Sequence, residues 1–472
     1  MKVLLINPPS EQELIGNNPA IIEEERGHNP PLGLLYVAAY LESHAAQEHE
    51  VAIIDAQVEE LSYAQLAERI EQYAPDIVGL TAMTFTLLDV IHTIQVVKAH
   101  APHARVVVGG PHAHLYPEET LNLPGVDFVV VGEGEEVFHQ LVQHIDHPED
   151  LMKVHGLVFR HEGQIVKTAY AGLIQDLDSL PFPARHLTPY KKYSSLLARR
   201  NPITTMFTSR GCPFRCAFCD RPHLGKRFRA RSPKNVVDEM AACVNMGIYE
   251  FLIYDDTFTV DRKRVLGICE EIQQRKLDIG WDIRARVDTV DEHLLKTLRA
   301  AGCERIHYGV EAGTEKILKV LNKGITLTQV QNVFKWTKQA GIETLAYFMI
   351  GSPTETREDI LQTIRFAERL DPDYVHITIL TPFPGTQIYF DGLAQGVFTE
   401  DFWQKFAANP TPDFVPRYWE QELSTDELIT ILNQAYKRFY LRPRYVWKRL
   451  TRVRSLRELV RKAHAGVKVL RL

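Results

Sequence analysis

Ser209-Arg-Gly-Cys212-Pro-Phe-Arg-Cys216-Ala-Phe-Cys219-Asp220 places three cysteines in a Cys-x-x-x-Cys-x-x-Cys run directly after the apolar stretch Ile203-Thr-Thr-Met-Phe-Thr208. The apolar stretch reads as a β-strand, and the glycine and proline among the cysteines read as the loop that follows it. Strand-like runs recur near 250–254, 281–285, 305–310, 344–350 and 374–379, with helical patterns between them. Strands alternating with helices predict parallel β/α units. Six of them predict a (β/α)6 partial TIM barrel, whose site lies in the segments just after each strand. The cysteine loop is one of those segments.

Three thiolates so closely spaced can surround one cubane, each holding one iron of a [4Fe-4S] cluster and leaving the fourth iron open to an outside ligand. The alternative is structural zinc, which wants four ligands in a tetrahedral array. Cys243, Cys269 and Cys303 are scattered singly and read as core residues, so His223 is the one nearby substitute for a fourth ligand. Six cysteines in 472 residues exclude a disulfide framework.

Upstream, the first 145 residues alternate short apolar runs with helical patterns, giving strands at 3–6, 51–54, 77–80, 105–108 and 128–131 and helices near 33–45, 62–73 and 86–100. This predicts an α/β, flavodoxin-like (Rossmann-type) sheet, which binds ligands at the carboxyl ends of its strands. The segments there are Asn7-Pro8-Pro9, Thr81-Ala-Met83-Thr84-Phe-Thr86, Gly109-Gly110-Pro-His112 and Gly132-Glu-Gly134-Glu135. Their glycines let a ligand approach the backbone closely, which suits one large flat ligand. Residues 146–200 read as a connector with a hairpin around His161-Glu-Gly163. The expected division is therefore 1–145, 146–200, 201–392 for the barrel and 393–472 for a helical, basic C-terminal extension.

The cysteine loop on a six-unit barrel resembles the radical S-adenosylmethionine (SAM) superfamily, and the preceding α/β domain resembles the cobalamin-binding module of its vitamin-B12-dependent class. Supporting segments are Tyr254-Asp-Asp-Thr-Phe258, Gly309-Val-Glu-Ala-Gly313, Met349-Ile-Gly-Ser-Pro-Thr-Glu-Thr356 and Thr381-Pro-Phe-Pro-Gly-Thr386, one after each of four predicted strands. The resemblance implies that Cys212, Cys216 and Cys219 ligate a [4Fe-4S] cluster whose open iron chelates SAM, and that reduction cleaves SAM to methionine and a 5′-deoxyadenosyl radical. It implies that Phe218 packs on the adenine, that Asp255 and Asp256 meet the SAM ammonium, and that Glu311 meets the ribose hydroxyls. Arg284 and Arg286 are expected at the SAM carboxylate, with a structural ion pair to Asp282 or Asp288 as their alternative. His376 is the candidate catalytic side chain, with a core histidine as its alternative. Cobalamin is expected against Asn7, Pro8, Met83, Thr84, Gly109, Gly110, Gly132 and Gly134. Thr84 or Thr86 reads equally as a helix cap.

Many cobalamin domains carry Asp-x-His-x-x-Gly, whose histidine ligates cobalt from below. This chain has Asp55-Ala-Gln57 instead. Methylthiotransferases of the superfamily hold a second cluster on three N-terminal cysteines, yet every cysteine here lies at or after position 212. The implied activity is methylation of an unactivated carbon. Oxidative cyclisation of the anaerobic magnesium-protoporphyrin monomethyl ester cyclase type, on a tetrapyrrole or lipid, is the alternative. A cobalamin-binding sensor or carrier without turnover is a second one, which the intact cysteine triad opposes. A flavodoxin or ferredoxin is the expected electron donor.

Composition agrees with a folded enzyme: 45% hydrophobic and 24% charged residues exclude disordered and fibrous classes. No apolar run approaches a membrane span or a signal peptide, so a cytoplasmic protein is expected. The net charge of -6 hides an asymmetry, since residues 434–472 hold 13 Lys and Arg against Glu458 alone. The remainder is acidic, which argues against nucleic acid as the partner of the body. Residues 423–440 read as a helix opened by Ser424-Thr-Asp-Glu427. Beyond Pro443, Tyr445, Val446, Trp447, Leu450, Val453, Leu456, Leu459 and Val460 recur at helical spacing among basic residues. That stretch suits either packing on the barrel or peripheral contact with an anionic membrane, which would give access to a lipid substrate.

Overall fold

The computed structural model describes residues 1–14, 27–44, 49–195, 197–219, 226–451 and 469. In the N-terminal sheet β1 (Lys2–Asn7), β2 (Glu50–Asp55), β3 (Ile77–Thr81), β4 (Arg105–Gly109) and β5 (Phe128–Val130) run parallel in the order 2-1-3-4-5. These are the five strands read from the sequence. β6 (Leu157–His161) and β7 (Gln164–Lys167) then extend the sheet antiparallel beyond β5. Their turn has Glu162 at φ 49° and Gly163 at φ 78°, the left-handed pair that a two-residue hairpin favours. The connector thus contributes two strands to the first sheet. Helices Tyr63–Tyr73 and Leu87–His100 pack on one face, and Leu32–His44 and Gly134–His144 on the other.

The second half begins with β8 (Ile203–Met206), followed by a short antiparallel pair, β9 (Ser209–Arg210) and β10 (Arg229–Ala230). Then come β11 (Glu250–Ile253), β12 (Gly280–Ala285), β13 (Cys303–Glu311), β14 (Glu343–Ile350) and β15 (Tyr374–Ile379). The six long strands are parallel in the order 8-11-12-13-14-15, the expected partial barrel. Cys243, Cys269 and Cys303 are buried in its core, and burial pushes the first two thiols up to about 11 and about 12.

A partial barrel leaves edge strands with unpaired backbone groups. At β15 they are met by side chains from helix Thr425–Tyr440, which opens on the Ser424–Glu427 capping box. The Tyr436 hydroxyl accepts from Ile377 N at 2.9 Å and donates to Ile377 O at 2.8 Å, and Tyr440 does the same with Val375 at 3.2 and 2.8 Å. A last helix spans Pro443–Leu450. The apolar positions Val453, Leu456, Leu459 and Val460 lie outside the described residues. Among the described residues no helix is long and apolar enough to cross a membrane.

Candidate active site

The strand order reverses between β1 and β3, so the loops after these strands diverge and open a crevice. A cavity of about 440 Å³ lies there, closed from the barrel side by Phe207, Ser209, Arg210, Tyr254 and Asp256. Asn7, Pro8, Met83, Gly109, Gly110, Gly132 and Gly134 all line it. Thr84 does not, contrary to expectation. It is buried beneath the loop with its Oγ1 3.1 Å from Nδ1 of His112, whose imidazole burial pushes down to about 4. Thr86 Oγ1 bonds to both the N and the O of Met83 at 3.2 Å, which leaves the Met83 side chain on the cavity wall. Gly110 owes its identity to the loop itself: at φ 98°, a Cβ would stand 2.6 Å from Thr81 Oγ1.

A second cavity, of about 150 Å³, is walled by Cys212, Cys216 and Cys219, all free thiols. Arg286 Nη1 donates to Cys216 Sγ at 3.5 Å, and Thr257 Oγ1 lies 3.7 Å from Cys212 Sγ. Among the described residues no three His, Cys, Asp or Glu side chains are arranged to hold a single metal ion, as structural zinc requires. His223 lies outside the described residues. A cubane takes one thiolate per iron, so three thiols around a cavity beside guanidinium and hydroxyl donors fit it.

The expected SAM contacts divide. Phe218, Asp256, Arg284, Arg286 and Glu311 line this cavity, and Asp256 lines the first one too. Asp255 is a correction: it is fully buried, and its carboxylate accepts from the backbone N of Thr208 and Ser209 and from both their hydroxyls, at 2.5–3.0 Å. Those bonds, with Arg264 at 3.4 Å, use its oxygens to tie β11 to the start of the cysteine loop. Arg286 adopts its ion-pair alternative, forking onto Asp288 at 2.9 Å. Arg284 stacks on the Tyr254 ring at 4.2 Å and has no carboxylate within ion-pair distance among the described residues. Glu311 sits at φ 72°, an uncommon conformation for a side-chain-bearing residue that is typical of functional sites. It accepts from Lys323 Nζ at 2.7 Å, and the same ammonium lies 5.7 Å from the Phe218 ring centre.

A third cavity, of about 400 Å³, occupies the barrel lumen. It shares Tyr254 with the first cavity and Arg284, His307 and Tyr347 with the second. His376 lines it, with its ring edge-on to Tyr347 at 5.5 Å. His307 and Tyr347 escaped sequence reading. His307 Nδ1 is 3.1 Å from the Tyr347 hydroxyl, its Nε2 is 3.6 Å from Asp282, and burial lowers its pKa. The available signal was parity: register pairs Arg284 with His307 and Tyr347 with His376, which places all four on the inner face.

Residues 20–142 match the B12 binding domain family and residues 206–367 the radical SAM superfamily. An uncharacterised methyltransferase of Pyrococcus horikoshii is 37% identical over 451 residues, covering 95% of this chain and 94% of its own length. The chain belongs to the cobalamin-binding radical SAM family. The anaerobic magnesium-protoporphyrin IX monomethyl ester cyclase of Rubrivivax gelatinosus is 31% identical over 468 residues, 97% of this chain and 80% of its own. Two solved structures share the fold. The radical SAM methyltransferase TsrM of Kitasatospora setae, with cobalamin and a [4Fe-4S] cluster bound, has a TM-score of 0.68 at 20% identity, over 84% of this chain and 78% of its own. The cobalamin-dependent radical SAM enzyme OxsB, with aqua-cobalamin and SAM bound, has a TM-score of 0.76 at 18% identity, over 99% of this chain and 72% of its own. In this family's terms, the N-terminal sheet is the B12 domain and the partial barrel is the radical SAM domain.

Proposed function

We propose that the protein is a cobalamin-dependent radical SAM methyltransferase acting on an unactivated carbon of a small molecule held in the barrel lumen. The observation that carries this reading is that the three cavities share walls. A ligand in the lumen touches Tyr254 toward the corrinoid side and Arg284, His307 and Tyr347 toward the thiol-lined side. When bound, the cluster supplies the electron for reductive SAM cleavage and cobalamin carries the transferable methyl group. The protein's part is alignment of the reactants.

Cys212, Cys216 and Cys219 hold the cluster, and Arg286 donates to the Cys216 sulfur. Phe218 packs on adenine, Glu311 accepts hydrogen bonds from the ribose hydroxyls, Asp256 receives the ammonium, and the carboxylate goes to Arg284, which has no carboxylate within ion-pair distance among the described residues. Asn7, Pro8, Met83, Gly109, Gly110, Gly132 and Gly134 bound the corrin. His376 faces the substrate as the candidate catalytic group, with His307 and Tyr347 beside it. An electron donor of the flavodoxin or ferredoxin type reduces the cluster, and the basic tail covers the barrel, as its described part does where the Tyr445 hydroxyl donates to Asp373 O at 3.0 Å and Lys448 lies 3.3 Å from the Asp373 carboxylate.

The cyclase reading is favoured by the 31% identity to the Rubrivivax enzyme. Anaerobic protein reconstituted with iron, sulfide and cobalamin, then given SAM, a reductant and candidate substrates, separates the cases. A methyltransferase releases S-adenosylhomocysteine together with 5′-deoxyadenosine. A cyclase releases 5′-deoxyadenosine alone, and a sensor releases neither.

A further inference from the structure

The cysteine-bearing segment 211–219 follows directly on β9, which pairs with β10 so that Arg210 stands opposite Arg229. Both arginines are buried, and both reach out of the barrel to one carboxylate of the other domain. Arg210 Nη1 donates to Glu133 Oε1 at 2.7 Å, and Arg229 Nη1 donates to Glu133 Oε2 at 2.7 Å. Arg210 Nη2 donates to Glu135 as well. Glu133 and Glu135 follow β5, and together with Arg210 they line the corrinoid cavity. The ring of Tyr36, on the same wall, lies 5.3 Å from the Arg210 guanidinium. One residue, two positions before Cys212, is therefore both corrinoid-cavity wall and stem of the cluster loop.

Buried ion pairs add little net stability, because desolvation offsets their attraction. What a forked guanidinium between two carboxylates supplies is fixed geometry, since both donors must point at their acceptors at once. The turn Glu133-Gly-Glu135 cannot shift without moving both stems of the loop, and the stems cannot shift without moving the turn.

We propose that Glu133, Glu135, Arg210 and Arg229 are positioning residues forming an interlock that couples occupation of the corrinoid cavity to the placement of the cluster loop, so that cobalamin and SAM bind cooperatively. This rests on the cavity assignments made above. Linkage makes the coupling reciprocal: each ligand tightens the other by the same factor.

The test uses the full chain, reconstituted anaerobically with iron and sulfide and checked for cluster absorption and hydroxocobalamin binding. Absence of either in the wild type defeats the cofactor assignment itself, before any coupling is measured. SAM affinity is then determined by equilibrium dialysis with and without hydroxocobalamin. The wild type is expected to bind SAM about fivefold or more tightly when cobalamin is present, a typical size for coupling between two sites. Arg210→Lys, which keeps the charge but loses the fork, and Glu135→Gln are expected to bring the ratio close to one while the cluster spectrum persists. Arg229→Lys, farther from the cysteines in the stem, gives the same reading where Arg210→Lys fails to assemble. A wild-type ratio near one overturns the interlock, and so does a wild-type ratio retained in these variants.

Discussion

The corrinoid cavity and the barrel lumen have similar volumes, about 440 and 400 Å³, but different walls. The first combines glycine and proline at the strand ends (Pro8, Pro9, Gly109, Gly110, Gly132 and Gly134) with hydrocarbon side chains such as Leu5, Leu34, Val37 and Phe138, and carries its charges, Glu133, Glu135, Arg210 and Asp256, toward the barrel. The second presents Arg284, His307, Tyr347 and His376 on alternate positions of parallel strands. A wall built mainly of glycine, proline and hydrocarbon side chains holds a large rigid ligand by shape and leaves the chemistry to that ligand. A wall of titratable side chains, fixed by strand register, can meet polar groups one at a time. Substitutions in the first wall should therefore act on corrinoid affinity, and those in the second on SAM and substrate.

The sharpest way to break this division is at the thiols. Replacing Cys212, Cys216 or Cys219 with alanine is expected to abolish cluster absorption and 5′-deoxyadenosine formation while corrinoid binding persists, as iron content and visible spectra would show. Next, with each ligand measured in the absence of the other, Arg284→Gln should weaken SAM binding by about 2 kcal/mol, the scale of a charged hydrogen bond, and leave hydroxocobalamin affinity unchanged. Gly110→Val should do the reverse, because its Cβ meets Thr81 Oγ1 and the backbone of Ala82. If either variant moves both affinities equally, the two walls are not separate in function.

An effect on stability alone, outside both walls, concerns the barrel mouth, where Glu355 follows β14. It is buried, accepts from Ser352 N at 2.9 Å, and burial raises its carboxyl pKa to about 7. An acid whose folded pKa is raised holds its proton more tightly folded than unfolded. Its contribution is fully present below the ordinary value of 4.5 and is lost as pH rises through about 7. In unfolding free energy from urea titration, Glu355→Gln should come within about 1 kcal/mol of the wild type near pH 5 and exceed it at pH 8.5 by up to about 3 kcal/mol. An unchanged difference between the two pH values would place the ionised carboxylate in a solvated site.

Much of the fold was legible because parallel strands buried on both faces read as continuous apolar runs, as in β3 and β14. That Cys212, Cys216 and Cys219 come together on one cavity was legible because their spacing is local. Helix Gly134–His144 was not, since Gly132-Glu-Gly134-Glu135 reads as loop until the strand before it is placed. Asp255 and Asp256 are neighbours with opposite fates, and only the return of Thr208 and Ser209 onto β11 decides which one turns inward. His307 and Tyr347 lie mid-strand, where composition cannot tell a lumen from a packed core. Glu133 meets Arg210 and Arg229 across separations of 77 and 96 residues, so nothing local marks the pairing.

Reduction of anaerobically reconstituted, cobalamin-loaded protein in the presence of SAM, with the products separated by mass, tests the assignment most directly. Formation of 5′-deoxyadenosine that depends on Cys212, Cys216 and Cys219 is the predicted result. A preparation that holds both cofactors in full and leaves SAM intact would contradict it.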